Sequence, residues 1–264
     1  MSRQLRAELF KLRTTAGAWI VLLVTLLLTA LGIVLSFLVP HGATVSFGAP
    51  RSVQDLRDLV GAGYTAGTVM APVLGVLAIT TEHRHRVLTA TLLLEPRRSR
   101  VLAAKVAACV LWGLFMCVAS LALVAAMGIP LLTSQGGSLP DLAHQIGPVV
   151  PGLLGAYALL AVYGLGIGVL VRNQIAGVIV ALGVSLVLEP IVVAIFRALL
   201  HWDINWLPSR ATQAVAGGLT GGQAAAATIG NVLLTWWLGA LALVAWGIGL
   251  AVVGYFTTFR RDVT

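Results

Sequence analysis

Charge is scarce in this sequence, and scarcer still inside its long apolar stretches. Only 10% of the 264 residues are Asp, Glu, Lys or Arg, against 59% hydrophobic. A soluble domain of this length cannot hide so much apolar surface in its core, which excludes that class. Cysteine is nearly absent: Cys109 and Cys117 stand eight positions apart. On one helix that is about 12 Å, too far for them to bridge each other, so cysteine says nothing of redox compartment. No Gly-x-x-x-x-Gly-Lys-Ser/Thr phosphate loop occurs, so the usual cradle for nucleotide phosphates is missing. Gly-x-Ser-x-Gly and His-Glu-x-x-His are missing too. His41, His83, His85, His144 and His201 all lie outside the apolar runs, which leaves a membrane-embedded catalytic dyad without a base. His83 and His85 are two apart, on different faces of a helix, and make a poor metal pair.

What the chain does have is six apolar runs, at 19–39, 59–81, 101–129, 149–171, 175–195 and 232–256, and a mean hydropathy of +0.98. Each run reaches the ~20 residues a helix needs to cross ~30 Å of hydrocarbon. In lipid every backbone N–H and C=O must be bonded internally, so runs of this length are helices. The expected fold is all-α, a polytopic membrane protein with six transmembrane helices and no separate soluble domain. Arg3, Arg6, Lys11 and Arg13 precede the first run as in a signal peptide. That run is too long for a typical signal core and lacks a small-residue cleavage site, so it reads as a retained first helix.

Basic residues set the expected orientation. With a cytoplasmic N-terminus, the inner segments hold Arg3, Arg6, Lys11, Arg13, Arg84, Arg86, Arg97, Arg98, Arg100, Lys105, Arg172, Arg260 and Arg261. The outer segments hold Arg51, Arg57, Arg197 and Arg210. Thirteen of seventeen basic residues on one side place both termini in the cytoplasm. The net charge of +8 then reports topology and anionic lipid headgroups. It does not report nucleic acid, because no binding domain stands behind these short basic segments.

Two segments outside the runs could meet a partner. In 2–15, Leu5, Leu9 and Leu12 fall at helical spacing, with Arg6, Glu8, Lys11 and Arg13 between them. Such a helix lies in the inner interface with its apolar face toward lipid. In 82–105, six basic and two acidic residues flank an apolar centre, 87–94. There Leu88 with Leu92, and Thr89 with Leu93, form i,i+4 pairs on a short helix, which Glu95-Pro96 should stop. A short rod with an apolar ridge suits insertion into a groove on another protein. A solvated basic loop that enforces topology is the competing reading.

The second run carries Gly63, Gly67, Ala71 and Gly75, a small residue at every fourth position, which lets another helix approach closely. Pro72 should loosen or kink it. Gly164 and Gly168 repeat the spacing in the fourth run, where packing within the chain is expected. Glu189, followed by Pro190, is the acid inside an apolar run. Facing lipid near mid-bilayer a carboxylate costs about 2.5–3.5 kcal/mol, so Glu189 should face protein or water, or be protonated. Pro190 cannot donate a hydrogen bond to the carbonyl of Leu186, so the helix is expected to bend or end there. The stretch 191–200, with Trp202 and Trp206, then becomes a re-entrant or interfacial element. Glu189 and Pro190 are either an outer gate or a structural bend.

The residues Leu5-Arg6-Ala7-Glu8-Leu9-Phe10-Lys11-Leu12-Arg13-Thr14-Thr15 followed by Trp19 resemble the opening of ATP-binding-cassette exporter permeases of the type-2 class. Glu82-His83-Arg84-His85-Arg86, Thr89 with Thr91, Leu94-Glu95-Pro96-Arg97-Arg98-Ser99-Arg100 and Lys105 are similar to the segment after that family's second span. Trp206-Leu207-Pro208 and the tail Phe259-Arg260-Arg261-Asp262-Val263 are similar too. One departure is Val87-Leu88, where the family often carries a glycine just before the first threonine of the coupling segment.

The resemblance implies one permease domain over 1–264, with an interfacial helix at 1–17, a coupling segment at 82–100 and an outer-leaflet segment at 189–210. In that scheme Glu82, Arg84, Leu88, Leu92, Leu93, Arg97 and Arg98 meet a separate ATPase subunit. Arg6, Glu8, Lys11 and Arg13 sit on a helix resting against the same subunit. The Gly63–Gly67–Ala71–Gly75 ridge lies at a homodimer interface, with helix packing within the chain as the competing reading. ATP and Mg²⁺ belong to the partner, and this chain binds no cofactor or metal and performs no catalysis. The expected product is a subunit of an exporter in the bacterial cytoplasmic membrane, moving hydrophobic or amphipathic cargo. A stand-alone secondary transporter, a channel or a membrane enzyme would need ionisable pairs or catalytic groups within the spans, and Glu189 alone qualifies.

Overall fold

The structure is a computed structural model, and it describes residues 2–38, 53–84, 98–133, 147, 149–171, 173–201, 204–217 and 234–254. All regular structure among them is helical. α1 is Ser2–Thr14, α2 Ala16–Leu38, α3 Val53–Arg84, α4 Arg98–Thr133 and α5 Val150–Leu170. α6, Gln174–Gly183, runs through a π-helical turn, Val184–Leu188, into α7, Glu189–Leu200. α8, Pro208–Val215, and α9, Trp236–Gly254, follow. Six stretches of these are long and apolar enough to cross a membrane: Ala16–Leu35, Val60–Thr81, Val101–Pro130, Val150–Leu170, Gln174–Leu200 and Trp236–Gly254. They match the six apolar runs to within a few residues, and the chain is a multi-pass all-α membrane protein.

Buried threonines inside the spans are bonded back to their own helix. The hydroxyls of Thr25, Thr29 and Thr80 donate to the carbonyls of Val21, Thr25 and Val76, at 2.7–2.8 Å. A hydroxyl satisfied in this way costs little in hydrocarbon. Helix ends follow local chemistry. The Asn173 side chain accepts from the N–H groups of Ile175 and Ala176, capping α6. His201, at φ 50° in the left-handed region, closes α7.

α3 and α5 form the buried centre, flanked by α2, α4, α6 and α9. Small residues make this centre possible. A Cβ added to Gly75 would stand 2.8 Å from the carbonyl carbon of Gly164 and run into the Ala161 carbonyl oxygen. One added to Gly164 would stand 2.5 Å from Pro72 Cα. Gly67 accommodates the ring of Tyr157, and Gly168 faces the backbone of Val76. The ridge Gly63–Gly67–Ala71–Gly75 is therefore buried within the chain: Gly67 and Gly75 pack on α5, and Gly63 faces Ser120, Val124 and Thr29. Of the two readings of the ridge, these contacts are those of packing within the chain. Pro72 sits inside α3, which continues through it to Arg84.

At Glu189-Pro190 the helix does not end, as one of the two expectations had it; 191–200 continues in helix as α7. The widened turn just before it absorbs the proline, with the Glu189 N–H donating to the carbonyl of Val184, five residues back. The element that does return is α8. Trp246, midway along α9, donates its indole N–H to the carbonyl of Trp206 at 3.0 Å, and the two indoles stack. From that depth α8 climbs back toward the start of α9, where Gly239 meets the Ala211 carbonyl oxygen, and the start of α5, where Gly152 meets Val215 and Ala216.

Candidate functional site

At the end of the bundle where α1 lies, Thr15 N–H donates to the Lys11 carbonyl, and the Trp19 indole donates to that of Arg13 at 2.7 Å. These bonds fix the elbow between α1 and α2. The apolar face of α1 then packs inward: Leu12 is buried, and Leu5 and Leu9 rest on the core. Glu8 turns inward with them. Its carboxylate accepts from Lys105 Nζ of α4 at 2.9 Å and from Lys11 Nζ at 2.7 Å. Glu8 is 7% exposed and Lys105 3%. Burial opposes the charge on Glu8, but Lys105 and Lys11 outweigh it and hold the carboxyl below its ordinary range. Beside this cluster lies a cavity of about 220 Å³ between α1, α2, α3 and α4, with Leu12, Leu74, Ala108 and Cys109 among its lining.

Of the N-terminal residues singled out from sequence, Arg6 and Arg13 are exposed, Lys11 is half-buried, and Glu8 faces the protein. Phe10 stands 66% exposed on the outer side of α1. Glu82 and Arg84 fall in the last turn of α3, and Arg98 opens α4. Leu88, Leu92, Leu93 and Arg97 lie outside the described residues. Lys105 reads from sequence as one of the loop's basic residues, yet it sits inside the third span. Its signal is position: a lone ammonium four residues past the start of an apolar run needs a counter-charge.

At the far end, Glu189 is 3% exposed. Its Oε2 accepts the backbone N–H of Ser209, in the first turn of α8, at 2.6 Å. A carboxylate there satisfies an orphan N–H and meets the positive end of the helix dipole. The buried Tyr64 and Tyr163 lie within electrostatic reach of it. The π turn is what aims it. Gly177 and Ala181 are the buried positions of α6, and eleven residues make three α-helical turns, so an unbroken register would next carry Leu188 inward. The wider turn moves that role on by one: Leu188 is 53% exposed and Glu189 buried. Pro190 itself is exposed.

Among the described residues, no three His, Cys, Asp or Glu side chains are grouped to hold a metal ion. No curated protein sequence matches the chain. The family described as ABC-2 family transporter protein matches residues 4–188, well over half of the chain, from the first turns of α1 to the end of the π turn. With six apolar spans behind that match, the chain belongs to the ABC-2 transporter family, as a multi-pass membrane permease.

Proposed function

We propose that the chain is the permease subunit of an ATP-driven exporter. It pairs with a second permease protomer and forms the path for a hydrophobic or amphipathic cargo across the cytoplasmic membrane. Both termini lie in the cytoplasm. The coupling segment 82–100, with Leu88, Leu92 and Leu93 as apolar knobs and Arg84, Arg97 and Arg98 as charged guides, docks on a soluble ATPase that holds ATP and Mg²⁺. The observation that carries this reading is the family match over residues 4–188, in a sequence without a phosphate loop. The exposed Arg6, Phe10 and Arg13 on α1 are consistent with a second contact on the same partner.

The test is co-purification. The tagged chain, extracted from its native membrane in mild detergent, should retain a soluble ATPase and hydrolyse ATP. Replacing Leu92 and Leu93 with Asp should release the ATPase while the permease stays monodisperse. Full retention in that variant would move the docking surface elsewhere. Solute movement by the purified chain without any hydrolysing partner would overturn the reading.

A further inference from the structure

The contacts of α1 are lopsided. It packs chiefly on α4, and Glu8 is locked to Lys105 across 97 positions of sequence. Toward α3 it faces the cavity, whose α3 wall is Leu74, Leu77, Ala78 and Thr81. A buried ion pair is an expensive way to gain stability, because desolvating both charges offsets much of their attraction. It does fix relative position, since the bond from Lys105 ties α4 to a carboxylate that Lys11 of the same helix holds in orientation on α1. A void acts in the opposite sense. Close-packed interiors resist sliding, and a gap of this size removes that resistance along one side.

We infer that α1 and the first turns of α4 form one lever, with the Glu8–Lys105 pair as its lock, and that this unit moves against α3 at the cavity, where Lys105 Nζ holds the Ala78 carbonyl oxygen of α3 only at 3.5 Å, against 2.9 Å to Glu8. The inference rests on the exporter reading: the coupling segment joins the end of α3 to the start of α4, so a pull on it separates those two helices. Glu8 and Lys105 are positioning residues in this scheme. The locked unit carries the displacement into the third span, and α3 stays with the buried centre it forms with α5.

Cys109, buried on the cavity wall one turn beyond Lys105, reports such a movement without any knowledge of the cargo. In a Cys117→Ala background, its alkylation by N-ethylmaleimide is timed in the ATPase-bound complex, nucleotide-free and trapped with ATP and vanadate. The rate should differ about tenfold between the two states, because opening of a packed cavity gates access of the reagent. Glu8→Gln should remove the nucleotide dependence, and the exchange Glu8→Lys with Lys105→Glu should restore it. The neutral pair Glu8→Gln with Lys105→Met leaves no buried charge, so it should stay folded and ATPase-bound, yet remain unresponsive. A nucleotide dependence that persists in that neutral pair overturns the lock, as does a folded exchange variant that stays unresponsive. Equal rates in both states of the parent complex overturn the lever. A parent that retains no ATPase overturns the exporter reading itself, and the lever with it, before any lock variant is made.

Discussion

Tyr157 of α5 donates its hydroxyl proton to the carbonyl oxygen of Gly63 on α3, 2.6 Å away, and lies 3.2 Å from Ser120 Oγ of α4. One side chain thus joins three spans, and its ring fills the space that Gly67 leaves open. Tyr157→Phe keeps the ring and loses the bonds; it should destabilise the detergent-solubilised protein by about 1 kcal/mol, a modest fall in melting temperature. Tyr157→Ala also opens a cavity and should cost about 3–5 kcal/mol. A thermal melt of the two variants beside the parent checks the order.

The contact of Gly75 with α5 predicts a steep size limit. Gly75→Leu or Gly164→Leu must push the backbones of α3 and α5 apart, at a cost of about 3 kcal/mol or more. Yield of monodisperse protein in size-exclusion chromatography should collapse for both. Gly249→Ala, in mid-helix where an added Cβ meets nothing within 4 Å, should leave stability unchanged or raise it by up to about 1 kcal/mol.

Glu189 offers a distinction between charge and hydrogen bond. Glu189→Gln keeps an acceptor for Ser209 N–H and should assemble normally, while ATP-dependent efflux falls if the charge serves a gate. Glu189→Leu strands that buried N–H and should cost about 1–3 kcal/mol in stability. Normal efflux by Glu189→Gln at equal expression would leave the carboxylate a structural cap for α8.

Acid should loosen α1. The Glu8 carboxyl is held below its ordinary value of 4.5, so its contribution is fully present above that value. It is lost as pH falls through the lower, folded-state value. Melting temperature followed from pH 7 to pH 3 should therefore show a larger acid loss for the parent than for Glu8→Gln, since the remaining carboxylates are common to both. Parallel curves would mean the pair adds nothing to the fold of α1.

The spans were legible because hydrocarbon leaves a chain few options: twenty apolar residues must be a helix. The small residues at 63, 67, 71 and 75 announced close packing, but spacing alone cannot name the neighbour. The ring of Tyr157 and the facing Gly164 claimed that ridge for the chain's own fourth span. Glu8 was hidden for a similar reason. On an amphipathic helix it reads as one of several surface charges, and the residue that draws it inward is 97 positions away. At Glu189-Pro190 the sequence showed the stress on the helix correctly. It did not show the relief, because a helix can answer a missing N–H by widening one turn as well as by breaking.

That widened turn has a practical effect on any attempt to swap parts of this protein. It adds one residue to the fifth span, so a plain α-helical counterpart aligned by hydropathy would fall out of step by one position from Glu189 onward. A chimera that forces this stretch into a regular α-helix would present Leu188 to Ser209 and turn the acid away from it.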